Sequence, residues 1–247
     1  MQRLVCVRER RRFVQIGVGL IISSGLAAPV HAQGFIDKAE QSLGISPEDV
    51  TPPEDLMREH GVLDRVLLIY EATMRKFAAK EDFDPKVISD SANVVRDFIE
   101  NYHEKSEENF VFPRFQSAGK MTDLVNTLLR QHQAGRHVTA HILQHAPGSR
   151  KDGDDRRLTV SAMQLFITMY RPHAAREDTD LFPKLREVVS AHEFDSIGEE
   201  MEKQEKQKFG DDGFEKMVAH VAELEKAIGI ADLNQFFRIG RSRFEPG

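Results

Sequence analysis

The sequence predicts an all-α protein, an up-and-down four-helix bundle with additional helices at its C-terminal end. Three observations carry this reading. Trp is absent and there are only 3 Tyr, while Leu, Ile, Val, Phe and Met dominate the apolar set, which suits interdigitating helices better than stacked sheets. Apolar residues recur at three- and four-residue spacing over four long stretches. The connections between these stretches are short, which favours antiparallel neighbours. At 247 residues and 40% apolar content the chain can bury a sizeable core.

Residues 1–32 read differently from the rest. Arg3, Arg8, Arg10, Arg11 and Arg12 precede an apolar run from Ile16 to Val30 that is too short and Gly-rich for a membrane span but fits a signal peptide. Val30-His31-Ala32 supplies the small-x-small cleavage pattern. Arg10-Arg11-Arg12-Phe13-Val14 resembles the core of a twin-arginine signal, which implies export of an already folded, metal-loaded chain to the periplasm. Removing this segment takes away five Arg and one Glu, leaving 29 basic and 39 acidic residues and a formal charge of −10. Such a mature chain is expected to repel nucleic acid and anionic lipid and to hold no stable membrane span. Cys6 lies within the signal, so disulfides, thiolate catalysis and Cys-ligated metal are excluded from the mature protein.

Residues 33–53 carry Gly34, Gly44, Pro47, Pro52 and Pro53 and read as a lead-in, with a short helix over Phe35 to Leu43. The domain is expected over 54–237. Its first helix starts at Pro53-Glu54-Asp55, runs to Lys80, and buries Leu56, His60, Leu63, Val66, Leu67 and Tyr70. The second follows Pro85 and aligns Ala92, Val95, Ile99, His103 and Glu107 before Pro113. The third runs from Thr122 to His145 with Leu124, Leu128, His132, Gly135, Val138 or Thr139, and Ile142 inward. The fourth covers Asp155 to Glu177 with Leu158, Ala162, Phe166, Met169, His173 and Glu177 in line. Packing helices are expected over Glu187 to Phe209 and Phe214 to Ile228, then an apolar close at Leu233 to Phe237 and a tail over 238–247. The Glu, Lys and Gln run from Glu199 to Lys208 reads as a solvated face.

Each of the four helices thus presents one inward histidine. Two of them sit in an internal repeat: residues 103–113 and 173–183 both read H-x-x-x-E-acid-x-x-hydrophobic-F-P. Histidine and glutamate four apart share one helix face, so both can reach one ion in a bundle core. Imidazole and carboxylate together suit iron, manganese or zinc, and a carboxylate has two oxygens with which to bridge a pair of ions. No Lys or Arg lies on the inward stripes to neutralise Glu107 and Glu177, which would cost several kcal/mol each if buried alone.

With these motifs, and with Arg58-Glu59-His60-Gly61 and residues 131–136 around His132, the sequence resembles the hemerythrin-like, or HHE cation-binding, family over about Glu54 to Phe237. The resemblance implies two iron ions held by His60, His103, Glu107, His132, His173 and Glu177, with the two glutamates bridging. It also implies a small ligand such as dioxygen, nitric oxide or peroxide. Two departures matter. Arg136 stands where oxygen-carrying members have a further histidine, with His137 and His141 out of register, and Glu177 rather than Asp178 repeats the Glu107 geometry. One iron would then have a second exchangeable position, filled by water or by Glu104. That argues against reversible oxygen carriage and leaves two functions: binding, storing or sensing dioxygen, nitric oxide or iron, or an oxidase or peroxidase acting on peroxide. Tyr102 and Tyr170 lie beside ligands and are expected to pack against them.

Overall fold

The computed structural model describes residues 50–235, so the expected signal peptide, residues 33–49 of the lead-in, Phe236, Phe237 and the tail lie outside the described residues. Among the described residues there are six helices and no strand, an all-α bundle. None of these helices is long and apolar enough to cross a membrane.

Helix α1 is Pro52–Ala79. Thr51 starts it by donating both its backbone N–H and its hydroxyl to Glu54, at 3.0 and 2.8 Å. Pro52 and Pro53 occupy the first turn, where a missing N–H costs nothing. Lys80, at φ 56°, ends it in the left-handed region.

Helix α2 covers residues 86–117 and is not regular. It alternates α-helical Lys86–Val94, Glu104–Ser106 and Phe112–Ser117 with wider π turns at Val95–His103 and Glu107–Val111. The expected stop at Pro113 is therefore corrected: Pro113 opens the last α-helical turn, a position that needs no N–H from it. The N–H of Phe112 reaches back five residues to the carbonyl of Glu107. Helix α4, Gly153–Arg176, ends the same way: a π turn Glu177–Leu181 lets the N–H of Phe182 reach the carbonyl of Glu177 ahead of Pro183. The sequence repeat is thus a backbone repeat, with each bridging-type glutamate opening a π turn.

Helix α3 is Thr122–His145, and α4 starts where the Asp152 side chain accepts the N–H groups of Asp154 and Asp155 at 2.7 and 2.9 Å. Their stripes are rotated slightly from expectation. Leu124, Leu158 and Met169 are only half-buried, while Val125, Thr159, Met163 and Tyr170 take the inner places. Helix α5, Ala191–Phe209, begins four residues after the expected Glu187, because Phe182–Glu187 forms a tight turn and the Ser190–Glu193 cap sets the start. Helix α6, Gly213–Ile228, is pinned to α1 by Arg65, which donates twice to Glu225 at 2.9 and 2.6 Å, and by Arg58 over the Phe214 ring.

The core is split in two. One apolar cluster gathers Leu63, Val66, Tyr70, Ile99, Phe166 and Tyr170. The other gathers Leu56, Phe112, Phe115, Leu128, Phe182 and Phe194. Along all four bundle helices the inward histidines fall between these two sets, so a thin polar layer is sealed above and below by hydrocarbon.

Candidate metal centre

The six residues singled out in the sequence, His60, His103, Glu107, His132, His173 and Glu177, are all buried and come together in that layer. They form two triads whose ligand atoms lie within 4.8 Å of one another: His60, His103 and Glu107, and His132, His173 and Glu177. Within each, the two Nε2 atoms face each other, at 3.0 Å for His60 and His103 and 3.2 Å for His132 and His173. Both glutamates span the triads. Glu107 places Oε1 3.7 Å from Nε2 of His103 and Oε2 3.3 Å from Nε2 of His132. Glu177 places Oε2 3.1 Å from Nε2 of His173 and 3.4 Å from Nε2 of His60.

All four imidazoles are held from behind. Nδ1 of His60 donates to Asp178 at 2.7 Å, that of His103 to Glu59 at 2.7 Å, that of His132 to Glu108 at 3.1 Å and that of His173 to Gln131 at 3.0 Å. A carboxylate or amide oxygen only accepts, so each Nδ1 carries the proton and each Nε2 is turned to the centre. The arrangement has an approximate two-fold pattern. The residue before His60 and the residue before His132 orient the histidines of α2 and α4, while the acid after each glutamate of the repeat orients the histidine of α1 or α3. Phe182 stacks on His60 and Phe112 on His132, at 5.6 and 5.5 Å between ring centres.

Sequence reasoning did not find Glu59, Glu108, Gln131 or Asp178 as orienting groups. Their signal was adjacency: each neighbours a candidate ligand, and two are the second acid of the repeat. It also misplaced Arg136. That side chain turns inward, bringing Nη2 2.6 Å from Glu104 Oε2 and 2.7 Å from Glu108 Oε1. The expectation of no inward cation is thus corrected, although the guanidinium pairs with these two acids and not with Glu107 or Glu177. Glu104 is itself buried and accepts the Tyr170 hydroxyl at 2.6 Å. A side chain at Gly135 would overlap that hydroxyl, so the glycine is what lets Tyr170 reach Glu104. His137 is exposed and lies away from the six residues.

The charge pattern shows what the layer demands. Burial would lower the His60 and His132 imidazoles, yet the facing carboxylates outweigh it and raise each to about 10. Burial and the neighbouring His60 push His103 well below its ordinary value. Glu107 is raised to about 8, by burial and by Glu177, whereas His173 and His60 overcome burial and hold Glu177 well below the carboxylate range. Protons thus do on the metal-free protein what cations would do. Both carboxylate oxygens of Glu107 and of Glu177 are buried with no hydrogen-bond partner, a costly state unless something positive sits between them. Four nitrogens and two such carboxylates fit divalent first-row ions.

A family model described as the hemerythrin HHE cation binding domain matches residues 51–185. The chain belongs to that family. Hemerythrin-type domains bind cations and small ligands, and among the described residues of this member the buried His/Glu clusters are able to hold metal. An uncharacterized protein of Mycobacterium bovis and one of Mycobacterium tuberculosis are each 45% identical to it over 188 residues, covering 76% of this chain and 74% of the relative. No solved structure matches the chain.

Proposed function

We propose that this hemerythrin-family protein is an exported di-iron protein whose two ions are held by His60, His103, His132 and His173 and bridged by Glu107 and Glu177, and that it binds or senses dioxygen, nitric oxide or iron. The observation that carries this is the reach of Glu107, one oxygen toward each histidine pair. A carboxylate so placed serves two ions and not one. The ions would supply open coordination positions for a small ligand. The chain's own part is to set the imidazoles through Asp178, Glu59, Glu108 and Gln131, and to exclude water with the two apolar clusters.

Arg136 supports a second reading. It fills the place of a further histidine with a group that ligates no metal, leaving one ion more open, which suits an oxidase or peroxidase acting on peroxide. Stopped-flow turnover of peroxide by the iron-loaded protein separates the two.

Metal analysis of the purified protein tests the centre itself. About two irons per chain, with the near-ultraviolet absorption of an oxo-bridged pair, are expected, and Glu107→Ala is expected to abolish that absorption. A wild-type chain that is fully stable without metal sinks the proposal. Export rests on residues 1–32. Replacing Arg10 and Arg11 by Lys is expected to trap the precursor inside the cell, and unchanged fractionation overturns the twin-arginine route.

A further inference from the structure

Of the 10 histidines, four face the centre, and three of the others stand in a row on α3: His137, His141 and His145. Spaced four apart, they lie one above another on one helix face. The row begins to depart from the core ligand at His132, and His141 is nine residues further on, roughly 14 Å along the axis. It is therefore separate from the layer between the two apolar clusters.

The upper pair is organised. The rings of His141 and His145 meet edge to face with centres 4.5 Å apart. Nδ1 of His145 donates to Asp155 Oδ1 of α4 at 2.7 Å, the same carboxylate backing that His60, His103 and His132 receive. Asp155 is itself confined, because its other oxygen lies where a side chain at Gly148 would have to be. With Nδ1 committed to a carboxylate, the lone pair of His145 is on Nε2. Among the described residues, neither that nitrogen nor either nitrogen of His141 has a hydrogen-bond partner. The His145 side chain keeps 16% of its surface open to solvent, and His137 is exposed one turn before His141.

We propose that His141 and His145, with Asp155 fixing the His145 ring, form a second cation site on the outside of the bundle, taking a divalent ion of the imidazole-preferring kind (Co2+, Ni2+, Cu2+ or Zn2+). Two imidazoles one helical turn apart offer two neutral nitrogens to one ion. Water completes the coordination around these two nitrogens. Two nitrogen donors without a buried carboxylate select against Mg2+ and Ca2+, which take oxygen ligands.

The test uses the full chain already loaded at its core, titrated with Zn2+ by calorimetry and with Cu2+ followed by electron paramagnetic resonance. One further ion per chain is expected, with nitrogen hyperfine structure on the copper signal. His141→Ala and His145→Ala should each weaken it at least ten-fold, and Asp155→Asn by about ten-fold, the usual cost of losing an orienting partner. Circular dichroism and core metal content should not change in the two histidine variants, which guards against a folding artefact. Absence of a further ion, or wild-type affinity in His141→Ala and His145→Ala, overturns the site.

Discussion

Arg136 donates to Glu108 at 2.7 Å, and the same carboxylate accepts Nδ1–H of His132 at 3.1 Å, so the guanidinium acts on a centre-facing imidazole through one shared acid. Arg136 also lies 2.6 Å from Glu104, which takes the Tyr170 hydroxyl. These contacts occur on one side only, whereas the histidines, glutamates and stacking phenylalanines repeat on both. Arg136→Ala is expected to lower metal affinity 10- to 100-fold, as loss of an orienting partner does. Competition against a chelator of known affinity reads this, and an unchanged affinity would show that Glu108 holds His132 unaided.

Gly135 is the position where α3 passes closest to Tyr170. Gly135→Ala must displace the Tyr170 hydroxyl from Glu104 and is expected to cost about 1–3 kcal/mol by overpacking, despite the better helix propensity of alanine. Urea unfolding of the metal-free protein measures it. A stabilised variant would mean that the Tyr170–Glu104 bond contributes nothing.

Metal uptake should release protons. His60 and His132 stand at about 10 and Glu107 at about 8 in the metal-free protein, so all three hold protons at neutral pH on atoms that an ion would displace. Affinity is therefore expected to fall as pH is lowered, with about two to three protons released per loaded chain near pH 7. Calorimetry in buffers of different ionisation heat counts them. No buffer dependence would contradict the charge pattern described for the layer.

Asp55 gives a pH effect on stability at a distance from the ligands. Burial, helped by Glu59, raises its carboxyl from 3.8 to about 7. The folded chain then keeps a proton that the unfolded chain has released, so this group's contribution to stability declines as pH rises from about 4 to about 7. Asp55→Asn is expected to match the native metal-free protein below that window and to exceed it at pH 8. Urea midpoints at the two ends decide, and a variant weaker at pH 8 refutes the assignment.

The inward histidines were legible because a helix buried on one side writes its core face into the spacing, and His60, His103, His132 and His173 all fall on such faces. The repeat also marked Glu107 and Glu177. Less legible were residues whose partners lie on another helix. Glu59 looks like an ordinary surface acid beside His60, yet it is buried and serves His103, 44 positions away. Leu158 and Met169 misled for a related reason: an amphipathic stripe several residues wide fixes the face but not which of two neighbours is innermost.

Periodicity and the doubled H-x-x-x-E motif, by themselves, determined an all-α bundle and the six residues that meet in it, because both are properties of single helices. Only the tertiary structure decided how those residues are used. The rotation of each helix selected which acid stands behind which imidazole. The π turns at Glu107 and Glu177, which end just ahead of Pro113 and Pro183, accompany the placing of each carboxylate between two histidine pairs. The reach of Arg136 into the layer depends on where α2 runs beside α3, and no spacing within one helix encodes that distance.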